Sequence, residues 1–320
     1  MLGLKFDQIE FLGLNFAHMD ETQALEWLLK RSREMRFSYV VTPNVDHMVQ
    51  LHRDPAALGP VYEEAHLRLC DSKVISLMGR WSGLKLPVVT GSGLTARMLS
   101  KPLPAGTRIA MVGGNQRQRE WLAKTQPEAV FFYHEPPMGL RTNLEAQADA
   151  AAFVETVKAD IILITCGAPQ SELIANLIHM RGIARGVALC VGASLEFITG
   201  EKRRAPAWIQ KMCMEWAFRL YCEPRRLARR YLIDGPQIFA IWRQWTRAKA
   251  LRPLQGAGDG PFAAPALPEA NATMVVTAVK PEPGYDFGGE TPFADPVPVP
   301  IALPQQSAGR LMGASMSKTH

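Results

Sequence analysis

Asp160-Ile-Ile-Leu-Ile-Thr-Cys166-Gly167-Ala168-Pro169 is the stretch on which the fold turns. Four successive Ile or Leu residues cannot alternate between a core face and a wet face, so a strand made of them is covered on both sides. The run falls far short of the ~18 apolar residues a membrane-spanning helix needs. Gly and Pro end it, a helical pattern follows at Ser171–Met180, and a second apolar run occupies Val187–Val191. That is a strand–helix–strand unit. Working outward, strands are expected at Ser38–Thr42, Leu67–Cys70, Arg108–Val112 and Val130–Tyr133. Helices are expected at about Glu21–Arg33, Ala56–Glu64, Ser72–Trp81, Gln116–Lys124 and Leu144–Lys158. The alternation predicts an α/β fold with a doubly wound, mostly parallel, Rossmann-like sheet. Ligands of such sheets sit at the carboxyl ends of the strands. The turns there are Pro43-Asn44, Gly113-Gly114-Asn115 and Gly167-Ala168-Pro169.

Composition agrees. With 320 residues, 47% hydrophobic and 21% charged, the chain reads as soluble and globular, not polytopic, collagen-like or a secreted mini-protein. Asp7 and Glu10 interrupt the first apolar pattern and no basic segment precedes it, so no signal peptide is expected. The cysteines are Cys70, Cys166, Cys190, Cys213 and Cys222, with no C-x-x-C spacing. Neither a disulfide framework nor a zinc site fits, and a reducing cytosol does.

Charge is unevenly spread. Lys202–Arg252 holds thirteen basic residues against three acidic ones, a local +10 in a chain whose total is +6. Pro206 and Pro224 suit first helical positions. Trp208, Ile209, Met212, Trp216 and Leu220 fall near one face, and a last helix is expected at about Gln237–Lys249. Arg225/Arg229 and Arg226/Arg230 are like-charged i,i+4 pairs, which repel on an isolated helix and call for an anion. Three readings compete: a membrane surface with a lipid diphosphate, helices packed on the core without lipid, and nucleic acid. The first is favoured and nucleic acid is not expected, because Trp208, Trp216, Tyr221, Trp242 and Trp245 are interleaved with the bases as at a bilayer interface. From Pro253 onward, eleven prolines among Gly, Ala and Ser predict a disordered tail. The expected division is therefore a core over residues 1–204, a basic amphipathic helical appendage over 205–250, and a Pro/Gly-rich tail over 251–320.

Read in order, several short motifs carry a likeness. They are Thr42-Pro43-Asn44, Leu69-Cys70-Asp71, Thr90-Gly91-Ser92, Val112-Gly113-Gly114, Gly167-Ala168-Pro169-x-x-Glu172, Val191-Gly192-Ala193 and Gly200-x-x-x-Arg204-Ala205-Pro206-x-Trp208. Glu215-Trp216-x-x-Arg219-Leu220, Glu223-Pro224-Arg225-Arg226-Leu227 and Arg229-Arg230-Tyr231-Leu232 complete them. Over about residues 8–245 the chain resembles the bacterial WecG/TagA/CpsF glycosyltransferases, which move a sugar from a nucleotide donor to a polyprenyl-diphosphate-linked acceptor. It departs from their pattern with Ser72 for Gly, Ser171 for Gln, Val88 for Arg, Gly93 for Asp and Glu196 for Asp.

The resemblance implies that Asp71 is the catalytic base. The residues allow it, since a carboxylate at the end of an apolar strand meets the cleft; an N-cap for the next helix is the plainer reading. Thr42 and Asn44 are candidates to bond donor or acceptor hydroxyls, with local Asx or ST turns as the alternative. His47 is a candidate auxiliary acid or base, though an ordinary histidine is the default. Gly113, Gly114 and Asn115 offer a helix N-terminus to a diphosphate, or simply a tight turn. Gly167, Pro169, Ser171, Glu172, Gly192 and Glu196 are substrate-binding candidates on the resemblance. Arg219, Arg225, Arg226, Arg229 and Arg230 are the candidates for the lipid diphosphate and anionic headgroups. No D-x-D pair occurs in residues 1–250, so no metal and no cofactor are expected.

The function expected is an inverting glycosyl transfer from a UDP-type donor in cell-envelope or exopolysaccharide biosynthesis. The enzyme would lie in the cytoplasm against the inner face of the plasma membrane, its oligomeric state open. A catalytically degenerate nucleotide-sugar or lipid-diphosphate binding protein is the alternative. A dehydrogenase is disfavoured by the missing G-x-G-x-x-G.

Overall fold

Residues 6–206, 208, 209, 212 and 214–251 are described by the computed structural model. The chain begins with an antiparallel hairpin of β1 (Gln8–Phe11) and β2 (Leu14–Ala17). Its turn residues Leu12 and Gly13 both have positive φ, matching the right-handed twist of paired strands. Leu12 accepts that conformation with its side chain fully buried.

Six parallel strands form the main sheet: β3 (Ser38–Val41), β4 (Leu67–Arg68), β5 (Arg108–Val112), β6 (Val130–His134), β7 (Ile161–Ile164) and β8 (Val187–Cys190). Their order is β4-β3-β8-β7-β5-β6. Strand β7 stops at Ile164, two residues before the expected end, because its partner strand turns away at Gly113 (φ +85°). Val88 pairs with Cys70 and extends the sheet beside the end of β4.

Side chains alternate strictly between two cores. Tyr39, Val41, Ala110, Val112, Ile162, Ile164, Ala188 and Cys190 face one way, and Val40, Ile109, Met111, Ile161, Leu163, Val187 and Leu189 the other. The first core is covered by α2 (Val45–Arg53), α3 (Pro55–Glu63), α4 (Lys73–Trp81), α7 (Leu144–Val157) and α8 (Gln170–Arg181). The second is covered by α1 (Glu21–Arg31), α5 (Gly91–Leu99), α6 (Gln116–Thr125) and the short α9 (Ser194–Ile198). Asp20, Asn44, Asp54, Ser72, Thr90, Asn115 and Asn143 each cap a helix N-terminus with a side-chain oxygen. The buried guanidinium of Arg68 ties the hairpin to the sheet, donating to the carbonyls of Asn15 (2.6 Å), Tyr62 (3.2 Å) and Glu63 (2.8 Å).

The basic segment contains α10 (Glu215–Cys222), α11 (Pro224–Ala228), a π-helical stretch at Arg229–Asp234 and α12 (Gln237–Leu251). Its last helix packs on the core. Ile238 and Ile241 of α12 belong to the first core. Trp242 donates to Ser82 Oγ (2.8 Å), and Trp245 donates to Glu10 Oε1 (2.8 Å) while meeting Phe11 edge-on at 4.9 Å. Those two indoles, expected at a bilayer, are spent on the protein interior. The reason is chemical: an indole N–H bonds a buried acceptor as readily as an interfacial one. The expected tail over 251–320 lies outside the described residues apart from Leu251.

Candidate active site

The carboxyl ends of the parallel strands make one rim, and Asp71 stands on it after β4. The cap of the following helix is Ser72, whose side chain accepts from Ile75 N (3.2 Å). Asp71 is therefore released from the capping role that its position suggested. Its backbone N–H donates to Pro43 O (3.0 Å), and its Oδ2 accepts from Gly91 N (3.1 Å) at the start of α5. Burial pushes the Asp71 carboxyl up to about 7 from an ordinary 3.8. The Gly91 N–H, the nearby His47 ring and the Arg219 guanidinium draw it down, and Glu215 pushes it up. Glu215 and Arg219 reach it from one face of α10, a pairing invisible in the sequence because α10 follows so far along the chain.

Thr42 joins this centre. A methyl group built on Gly91 would come within 2.9 Å of Thr42 Oγ1 and 3.6 Å of Ser194 Oγ, so the backbone at 91 passes close because no side chain is there. Ser194 was not anticipated. Asn44 caps a helix. Its Oδ1 accepts from Asp46 N (3.0 Å) and His47 N (3.5 Å) to cap α2, the Asx turn of the plainer reading.

Other candidates spread along the rim. Strand β5 is four positions from β4, so Gly113-Gly114-Asn115 lies about 19 Å from Asp71 at ~4.8 Å per strand. Both glycines have positive φ, and a methyl group on Gly114 would fall 1.8 Å from Met111 Cε, so this turn demands glycine on structural grounds alone. Asn115 caps α6 and donates to Glu201 Oε2 (2.7 Å). Gly167 and Pro169 lead into α8 through a cis Ala168-Pro169 peptide. Ser171 is buried with its hydroxyl bonded to the Ile164 and Cys166 carbonyls, which removes it from the cleft surface. Gly192 lies in the turn after β8, and Glu196 pairs with Lys202 (2.5 Å). Glu172 is 2% exposed, and its Oε1 lies 3.3 Å from His47 Nε2. At Gly93, where the family pattern has Asp, an added methyl would come 3.0 Å from Glu21 Oε2, so an acid from α1 stands in that space.

The arginines divide. Arg230 pairs with Asp46 (3.2 Å) and Arg226 with Glu223 (2.5 Å), which relieves the Arg226/Arg230 repulsion from within the protein. Arg219 lies over the Phe197 ring at 5.3 Å. Arg225 and Arg229 are exposed and keep no acidic partner among the described residues.

A family model described as glycosyl transferase WecG/TagA/CpsF matches residues 9–251. The chain belongs to the WecG/TagA/CpsF glycosyl transferase family. It is a glycosyltransferase, and the resemblance drawn from its motifs holds across the whole sheet and α12. The family ties it to cell-envelope polysaccharide biosynthesis. No helix among the described residues is long and apolar enough to cross a membrane.

Proposed function

We propose that this glycosyltransferase transfers a sugar, with inversion, from a nucleoside diphosphate donor to a saccharide carried on a polyprenyl diphosphate at a membrane surface. The observation that carries the reading is Asp71: a half-buried carboxylate on the strand-end rim that does not cap the helix following it, with a pKa raised to about 7. A base with that pKa is ionised often enough at neutral pH and still strong enough to take a hydroxyl proton. Asp71 accepts the acceptor's hydroxyl proton as that oxygen attacks the anomeric carbon. The new C–O bond forms opposite the breaking bond to the β-phosphate, and the nucleoside diphosphate leaves with the electron pair. Arg219, whose charge is felt at Asp71, is suited to the developing diphosphate charge.

A lipid-linked acceptor is supported by the surface around α10 and the π-helical stretch. Trp208, Met212, Tyr221, Leu232 and Ile233 are all more than half exposed, and Arg225 and Arg229 stand among them. Exposed apolar groups mixed with unpaired arginine suit an anionic bilayer, and no nucleic acid is invoked. The deciding experiment is Asp71→Asn assayed with nucleotide sugars and a polyprenyl-diphosphate saccharide. Transfer is expected to fall by at least about a hundredfold with the circular dichroism spectrum unchanged. A variant that transfers at the parent rate removes Asp71 as the base.

A further inference from the structure

Beside Asp71, the same rim holds a second carboxylate that plays no part in that chemistry. Glu172 is 2% exposed, in the first turn of α8, and its Oε2 has no hydrogen-bond partner among the described residues. A buried carboxylate with an unbonded oxygen is costly, and an apolar residue would serve packing better. Its pairing partner is the His47 ring, 3.3 Å away.

His47 is engaged on both edges. Its Nδ1 accepts the Asn44 backbone N–H (3.3 Å), so the remaining ring proton sits on Nε2, facing Glu172. A glutamine or glutamate is the usual residue at this position of a capping box and closes it unaided. Histidine adds a second edge that reaches out of the helix. Asn44 follows Pro43, and Pro43 O holds the Asp71 N–H at 3.0 Å. Glu172, His47, the 43–44 turn and Asp71 thus join the loops after β7, β3 and β4 in series.

We propose that His47 and Glu172 are a positioning pair that holds the Asp71 carboxylate in register with the acceptor hydroxyl. The proposal rests on Asp71 being the base. Glu172 fixes the ring, the ring fixes the turn, and the turn fixes the backbone of the base. Neither residue touches the reacting atoms.

His47→Gln separates this role from simple helix capping, because glutamine keeps the bond to the Asn44 N–H and loses the reach to Glu172. The melting temperature is expected to stay within about 2 °C. Donor KM is expected to stay within about twofold, while kcat falls by about tenfold or more, as misplaced catalytic groups do. Glu172→Gln, which still accepts from Nε2–H, is expected to recover most of the kcat that Glu172→Leu loses. The double variant His47→Gln/Glu172→Leu is expected to be no slower than the slower single one, since the two act as a unit. Parent kcat in His47→Gln or Glu172→Leu, with Asp71→Asn inactive, overturns the positioning role and leaves the base standing; so do losses that multiply in the double variant. An active Asp71→Asn strikes the base itself, and the pair with it.

Discussion

At the scale of the residue, the base proposed at Asp71 would couple rate to stability through one proton. Its carboxyl titrates near 7 in the fold and near 3.8 when the chain is unfolded. Between those values the folded state holds the extra proton, so stability contributed by this group is complete below about 3.8 and is lost as pH rises through about 7. Two outcomes are expected. The logarithm of kcat/KM climbs with pH below about 7 and levels above it, as the base is freed. Asp71→Asn melts above the parent by a margin that is widest at pH 8, narrower at pH 5 and closes below about 3.8, where both states of the parent are neutral; calorimetry across that range checks it. The position of Asp71 was legible because an apolar strand ending in a carboxylate directs it at the rim. The charges that tune it were not, since Glu215, Arg219 and His47 arrive from other elements. Nor was the pairing of His47 with Glu172, which arises only where the helices after β3 and β7 meet across the end of β8.

At the scale of the element, strands buried on both faces announce themselves as apolar runs, and Arg108–Val112 falls where its residues predict it. The hairpin escaped notice because Leu12-Gly13 lacks the Asn-Gly or Asp-Gly signal of a two-residue turn, and each strand has only four residues. Helix α5 escaped because Gly91-Ser92-Gly93 looks like a loop; the Thr90 cap and the close approach of Thr42 explain its glycines. The arginine cluster reads as one charge in sequence and resolves into two kinds in space. Arg226 and Arg230 hold the protein together, while Arg225 and Arg229 face outward. At ~1 kcal/mol for each basic residue near an anionic leaflet, Arg225→Ala with Arg229→Ala should weaken binding to phosphatidylglycerol vesicles roughly thirtyfold. Sedimentation with such vesicles measures it, and Arg230→Ala should instead lower the melting temperature by freeing Asp46.

At the scale of the molecule, α12 closes the first core although it comes last in the described chain. Trp245→Ala removes the edge-on contact with Phe11 and the bond to Glu10. A loss of about 3 kcal/mol is expected, read as a fall of roughly 6–12 °C in melting temperature. The packing of α12 on the core was not legible because an amphipathic pattern with tryptophan is the same whether its apolar side meets lipid or protein. Burial of Ile238, at 1% exposure, decides between them.

A sheet whose six strands all run one way has two unlike ends. The candidate site lies at one. The other carries the plain connections at Pro104–Gly106, Lys158 and Gly182–Ile183, all facing water. A fluorophore, affinity handle or surface tether belongs on that far side, where it leaves the working edge unobstructed and presents every immobilised copy in the same orientation.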